Sequence, residues 1–369
     1  MPHVTAGPSA GEGAQRCEDE AMRSTRLALP LLAACVVLAA CGGDGDKKAT
    51  TTTTTTTTAA GTTPAPAVAG DLAPLTGLAQ PDAARRARVA LVVKIDNAPK
   101  GRPQSGINQA DVVIVEKVEG HITRLFTIFQ TNDADPVGPV RSARSTDVAL
   151  VTPLNRPLFA YAGTNATFQT LINNAPLVDL SPNKAGGDYK RRSDKPQTYN
   201  LYSSTTALFK RAAADAKAPP ALFTYRGAAD ASAGDAAAGV HVEYQAGGRA
   251  TKVDYAWDVG SGSWKRTQDG TPFNDEAGVQ VAPKNVVVQF VTYKDTGQRD
   301  RSGAVVDEAQ LVGTGDAWVF TNGKVTKGKW SKPTAEAVTA YTDAAGKPVG
   351  LTPGTTWVEL PPPGAAQSK

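Results

Sequence analysis

Apolar positions along this chain fall into three stretches of different character. They run without a charged residue from Leu27 to Ala40, thin out between Gly42 and Gly70, and return from Leu72 as short runs broken by turn residues. The run Val89 to Ile95 is rich in β-branched residues and stops at the turn-forming pair Asp96-Asn97, which predicts a buried strand. Asp111–Glu116 and Ile122–Phe129 predict two more. Helices are expected at Thr146–Val151, stopped before Pro153, at Ala166–Asn173, and at Thr206–Ala216 with Thr205 or Thr206 as cap. Strands interleaved with helices make residues 71–226 an α/β or α+β domain.

Between Gly227 and Gly239 the chain turns to Ala, Gly, Asp and Ser, which marks 227–239 as a linker or insertion. Residues 240–362 then read as a small β-rich domain. Strands are expected at Val286–Tyr293, Ala317–Thr321, Val325–Trp330 and Thr355–Leu360, and Asn322-Gly323 is a hairpin signal. The five tryptophans (257, 264, 318, 330 and 357) all lie here and are expected in the core rather than on a ligand platform. Residues 363–369 read as a disordered tail.

The first apolar stretch is an address. Residues 27–40 are fewer than the about 20 needed to span a bilayer. They follow Arg23 and Arg26 and end in Leu38-Ala39-Ala40-Cys41, the layout of a bacterial lipoprotein signal peptide. Glu18-Asp19-Glu20 is wrong for a signal, so Met22 reads as the true start, with 1–21 an upstream extension and 22–40 the signal. Cys41 would then carry thioether-linked diacylglycerol and an acyl chain such as palmitate. That places the body on the extracytoplasmic face of the cell membrane, held there by its lipid anchor. Residues 41–70, with the tract Thr50–Thr58, have almost nothing to bury and read as a disordered linker, either bare or O-glycosylated.

Composition narrows the chemistry. Cys17, Cys35 and Cys41 all lie before the folded body, which therefore has no disulfide, cysteine-bound zinc or thiol nucleophile. The chain carries 39 Lys/Arg against 35 Asp/Glu, a mild excess far from a nucleic-acid footprint. Past the signal only His121 and His241 remain, in separate segments, which argues against a histidine zinc site or a Ser-His-Asp triad. No Walker loop or dinucleotide fingerprint is present, and no cofactor is expected.

The best candidate site is Gly138-Pro139-Val140-Arg141-Ser142-Ala143-Arg144. If a helix begins near Val140, Arg141 and Arg144 point the same way. Arg102 and Arg124 could join them, and Ser142 could add a donor. Planar guanidinium groups grip phosphate or carboxylate oxygens in pairs. The competing reading is internal pairing of these arginines with Asp96, Asp111, Glu116 or Asp147. Asp96, Asp111 and Asp147 could instead ligate a divalent cation or act as acid and base, although turn-forming and solvated roles suit them better. Lys190–Lys195 reads as a solvated basic loop.

Several segments together resemble the bacterial DUF3048 (YerB-like) lipoproteins: Lys94-Ile95-Asp96-Asn97, Arg102–Gly106, Ala110-Asp111, Glu119-Gly120, Thr123-Arg124 and, above all, Gly138–Arg144. Asn322-Gly323-Lys324, Trp330, Gly346-Lys347 and Pro353–Trp357 resemble that family's C-terminal domain. Where the family tends to show Pro-His-Asn, this chain has Pro196-Gln197-Thr198, so no histidine mechanism carries over there. The resemblance implies a two-domain extracytoplasmic lipoprotein and no particular activity. The expectation is an envelope protein, more a binder than an enzyme, that holds an anionic cell-wall polymer or an envelope partner in an arginine-bearing cleft. The alternative is an enzyme. The order of Asp, Thr-Arg and Arg141-x-x-Arg144-x-x-Asp147 is similar to the LytR-CpsA-Psr phosphotransferases, which act on polyprenyl-pyrophosphate-linked precursors with a metal ion, although their Pro-Arg-Asp signature is missing.

Overall fold

A computed structural model describes residues 70–369 apart from 228, 247–248 and 301–302. The stretch expected to be a signal peptide, Cys41 and the Thr tract lie outside the described residues. The strands in chain order begin with β1 (Leu91–Asp96), β2 (Val112–Val118), β3 (Ile122–Phe129), β4 (Leu158–Ala160), β5 (Val178–Asp179), β6 (Tyr189–Arg191) and β7 (Leu201–Ser203). They continue with β8 (Asp235–Ala236), β9 (Gly239–Ala246), β10 (Arg249–Asp258), β11 (Ser263–Gln268), β12 (Thr271–Pro272), β13 (Asn285–Gln289) and β14 (Tyr293–Arg299). The last are β15 (Val305–Ala309), β16 (Gly313–Thr321), β17 (Lys324–Lys332), β18 (Ala340–Asp343), β19 (Thr356–Glu359) and β20 (Ala366–Ser368). Five short helices accompany them: α1 (Ala83–Ala87), α2 (Thr146–Val151), α3 (Ala166–Asn174), α4 (Pro182–Ala185) and α5 (Thr205–Phe209).

The N-terminal part mixes strands with all five helices, and the part beyond Gly239 is built of strands. One large sheet joins both parts, in the order β18-β17-β16-β13-β19-β2-β3-β1-β4-β5, with β8 beside β17. The junction is β19 against β2, parallel, with Thr356 opposite Val112 and Glu359 opposite Val115. A five-stranded sheet, β12-β11-β10-β9-β20, covers one face. Leu91, Val93, Val113, Val115, Leu125 and Trp357 meet Val240, Tyr244, Val253, Tyr255 and Trp264 there in one core. Alternation along each strand sends Val92, Val112, Phe126, Ile128, Val319 and Val358 to the other face, under Leu75, Val151, Ile172 and Phe223.

Most elements follow their local signals. Asn322 and Gly323 both have positive φ (49° and 70°), the backbone a two-residue hairpin turn requires. Asn165 caps α3 by accepting from the Phe168 amide at 2.8 Å. Trp264, Trp330 and Trp357 are core residues, and Trp257 and Trp318 pack against the core. Three expectations need correction. The helix expected over Thr206–Ala216 ends at Phe209. The strand expected over Val286–Tyr293 stops at Gln289, and Tyr293 opens β14. The tail expected to be disordered contains β20, which pairs with β9 through Ala366 opposite Val242, because β9 leaves an edge that a short polar strand can fill.

Candidate functional site

The segment Val137–Ala143 is extended, not the start of a helix. It lies between the end of β1 and β7: the Asp96 amide donates to the Pro139 carbonyl, the Arg141 amide to the Lys94 carbonyl, and the Val140 amide to the Leu201 carbonyl. Gly138 (φ 150°) is needed because a Cβ there would sit 2.8 Å from the Tyr202 ring. Helix α2 begins only at Thr146. Arg141 and Arg144 therefore do not share a helical turn, contrary to the expectation that one would align them, and they reach different acids.

Each then meets an acid of the protein's own. Arg141 Nε donates to Asp96 at 2.7 Å. Arg144 closes a two-point pair on Glu119, with Nε to Oε2 at 2.9 Å and Nη2 to Oε1. Arg102 pairs with Asp269 at 3.2 Å. Ser142 spends its hydroxyl on the Ala162 carbonyl at 3.1 Å. Internal pairing thus accounts for Arg144, Arg102 and one nitrogen of Arg141. The four arginines do not form an open cationic cleft.

Arg124 is the exception. It stands opposite both Asp96 and Glu116 in the ladders of β3, and only 6% of it is exposed. Its one hydrogen bond runs from Nη1 to the Ser142 carbonyl at 3.1 Å, and it forms no ion pair with any described residue. Its Nε is buried without a partner. Burial, and then the neighbouring Arg144, lower its pKa to about 10, so it stays charged at neutral pH. Beside it Arg141 keeps 28% of its side chain in solvent, with no partner among the described residues for either terminal nitrogen. The Tyr199 ring lies 5.8 Å from the Arg141 guanidinium. Tyr199 follows Thr198, which is held at φ 82°, a conformation a β-branched residue rarely adopts. Asp96 is bonded to Arg141 and Glu119 to Arg144, and the charge of both acids also acts on Arg124 without an ion pair to it.

Sequence reading missed the cluster under this corner. Lys94 is fully buried and bonded to Glu116 and, at 2.6 Å, to Asp147. Asp147 also accepts from the Arg144 amide at 2.7 Å, which ties the end of the strap to the first turn of α2. Burial, and then Asp147, push the Glu116 carboxyl up to about 7, against the opposing pull of Lys94. Glu116 Oε2 and Ser145 Oγ are buried without partners. The signal available in sequence was a lone lysine inside the apolar run 89–95.

The three aspartates do not form one donor set. Asp96 and Asp147 serve Arg141 and Lys94, as above. Asp111 sits at the other end of the sheet, accepting from the Gln130 and Thr131 amides at 2.6 and 2.9 Å. About six residues of β3 separate it from Asp96, roughly 20 Å at about 3.3 Å per residue. Among the described residues no group of three His, Cys, Asp or Glu could hold a metal ion. The basic loop is also engaged: Arg192 and Lys195 both pair with Glu276, at 2.6 and 2.8 Å.

The DUF3048 N-terminal domain family, "Protein of unknown function (DUF3048) N-terminal domain", matches residues 75–218, and its C-terminal counterpart matches 240–358. The chain belongs to the DUF3048 family. A relative named "Putative lipoprotein YerB", from Bacillus subtilis (strain 168), is 29% identical over 298 residues, covering 79% of this chain and 86% of that protein. The crystal structure of the YerB protein from Bacillus subtilis superposes with a TM-score of 0.70 at 26% identity, covering 81% of this chain and 99% of that one. Both halves of the DUF3048 pattern therefore lie in one continuous sheet here. Gly138–Arg144, the family segment most specific in sequence, is the strap that carries Arg141 to Asp96 and Arg144 to Glu119.

Proposed function

We propose that this DUF3048 protein is a lipid-tethered, extracytoplasmic binding protein rather than an enzyme, anchored through Cys41 and engaging an anionic envelope ligand at the Arg124–Arg141 corner. The observation that carries the reading is Arg124: a charged guanidinium almost wholly buried, with an orphaned Nε and no carboxylate at ion-pair distance, the nearby Asp96 and Glu119 being bonded to Arg141 and Arg144. A buried unpaired charge is expensive, and an incoming anion would offset that. Arg141 supplies the solvent-facing half of the grip, and Tyr199 a flat wall. Phosphate or carboxylate oxygens fit two adjacent guanidinium groups. The acids nearby are already bonded to basic partners, which favours holding a ligand over moving its protons. No observation favours the phosphotransferase alternative.

Calorimetric titration with short poly(glycerol phosphate) tests this. Wild type should bind with a salt-dependent heat, and Arg141→Ala should weaken it by about tenfold or more. Arg211→Ala, which removes an exposed arginine paired with Asp188 far along the chain, should leave it unchanged. Equal heats for wild type and Arg141→Ala would remove the corner from the account.

A further inference from the structure

A further buried cation, Lys332, lies on the same sheet face, away from the arginines. Lys332 is the last residue of β17 and shares the inward face with Trp330, two positions earlier. Only 3% of it is exposed. Its ammonium donates to one backbone carbonyl, that of Ala337, at 2.7 Å, and forms no ion pair with any described residue. The nearest acid to act on it is the exposed Glu336.

Lys332 lines a narrow cleft of about 60 Å³ that adjoins a second hollow of about 240 Å³. The walls are otherwise mostly apolar, with Ile114, Leu150, Phe223, Val338 and Leu360 among them, and Gln289, Thr339 and Tyr341 bring the remaining polar groups. The space runs from the middle of the large sheet, under α2, to the Phe223–Tyr341 pair, where the second hollow shares Leu222, Phe223 and Tyr341 with it. Desolvation lowers the amine's pKa to about 8, so it is charged at pH 7, though less firmly than a surface lysine. A mostly apolar cleft with one cationic side chain and no ion-paired carboxylate at its wall is complementary to an apolar molecule bearing a single negative charge. Two N–H donors remain on Lys332 after Ala337, matching the two oxygens of a carboxylate, whereas a phosphate monoester would bring a second charge with no cation to meet it.

We propose that this cleft binds a single-chain apolar carboxylate of the fatty-acid kind, with its carboxylate on Lys332 and its chain along Ile114, Leu150 and Phe223. The site is independent of the arginine corner and goes beyond the reading given for it.

Equilibrium dialysis of radiolabelled decanoate against the full chain tests the proposal. Cys41→Ser is included so that no acyl group on the protein competes. One equivalent should bind saturably at pH 7. Lys332→Met should weaken binding by about 10–100-fold, and Ala149→Phe, which keeps the amine but fills the cleft, should abolish it. On unmutated Lys332, saturating decanoate should slow acetylation by dilute acetic anhydride, mapped by mass spectrometry, at least severalfold. That readout stands even if a variant fails to fold. Absence of saturable binding, unaltered binding to Lys332→Met, displacement by decanol as effective as by decanoate, or tighter uptake of decyl phosphate would each overturn the proposal.

Discussion

Arg144 and Glu119 close a two-point ion pair that ties the strap after β3 to the β2–β3 turn. Glu119 is 4% exposed and Arg144 13%, so the pair is a buried clamp rather than a surface contact. Burial alone would raise the Glu119 carboxyl, but the Arg144 hydrogen bonds and charge outweigh it and hold it below the usual glutamate range. Removing the arginine strands a buried carboxylate. Arg144→Ala should destabilise the fold by about 3 kcal/mol at pH 7, measured by urea unfolding. The sign with pH follows from the lowered value: the pair contributes fully above the unfolded value of 4.5 and is lost as pH falls through the folded one. The difference between wild type and variant should therefore shrink in acid.

Glu116 runs the other way. Its folded pKa, about 7, lies above its unfolded value of 4.5, so the native state holds the proton more tightly. Its contribution to stability is complete below pH 4.5 and is lost as pH rises through 7. Glu116→Gln keeps Asp147 on Lys94 and removes the titrating group. The variant should lose the decline in stability between pH 4.5 and 7, a change on the order of 1–3 kcal/mol. Urea midpoints across that interval check it; parallel curves for the two proteins would contradict it.

Between the two sheets, Glu359 is held by Tyr244 and Tyr255, each at 2.7 Å, and Tyr255 also accepts from Arg266 Nε at 3.2 Å. All four side chains are buried. Tyr255→Phe removes one donor to a buried carboxylate and should lower stability by about 2 kcal/mol. Tyr244→Phe should do the same, and the double variant more than the sum, because Glu359 would then be left without either phenol.

These networks explain what could be read from sequence and what could not. The strand at 91–96 was legible because Val89–Ile95 is a β-branched run ended by Asp96-Asn97, and the β16–β17 turn because Asn322-Gly323 suits a positive-φ hairpin. Lys94 was not legible as a clamp: its partners lie 22 and 53 residues away. Nor was the pairing of β19 with β2 legible, because hydrophobic period reports a strand and not its neighbour. The arginine motif was found, yet its geometry was misjudged, because an extended strap separates Arg141 from Arg144 where one helical turn would have aligned them. Lys332 did leave a trace, two residues after Trp330 on an alternating strand, and parity alone puts it on the buried face.

The closing strand offers a separate test. Lys369 exchanges backbone hydrogen bonds with Gly239, and its ammonium reaches Asp254 at 2.6 Å. Deleting residues 363–369 uncovers the edge of β9. The truncated protein should self-associate more strongly than the intact chain, as read by analytical ultracentrifugation across a concentration series.

The account turns on Arg124 and Arg141 being the two guanidinium groups left able to receive an anion. Nitrogen-15 spectra of the arginine side chains, followed while inorganic phosphate is added at constant ionic strength, address this most directly. The Nε–H signal of Arg124 and the terminal Nη signals of Arg141, whose Nε is held by Asp96, should move together and saturate, while those of Arg144, already clamped by Glu119, stay in place. Movement of Arg144 instead, or saturation at neither Arg124 nor Arg141, would contradict the account.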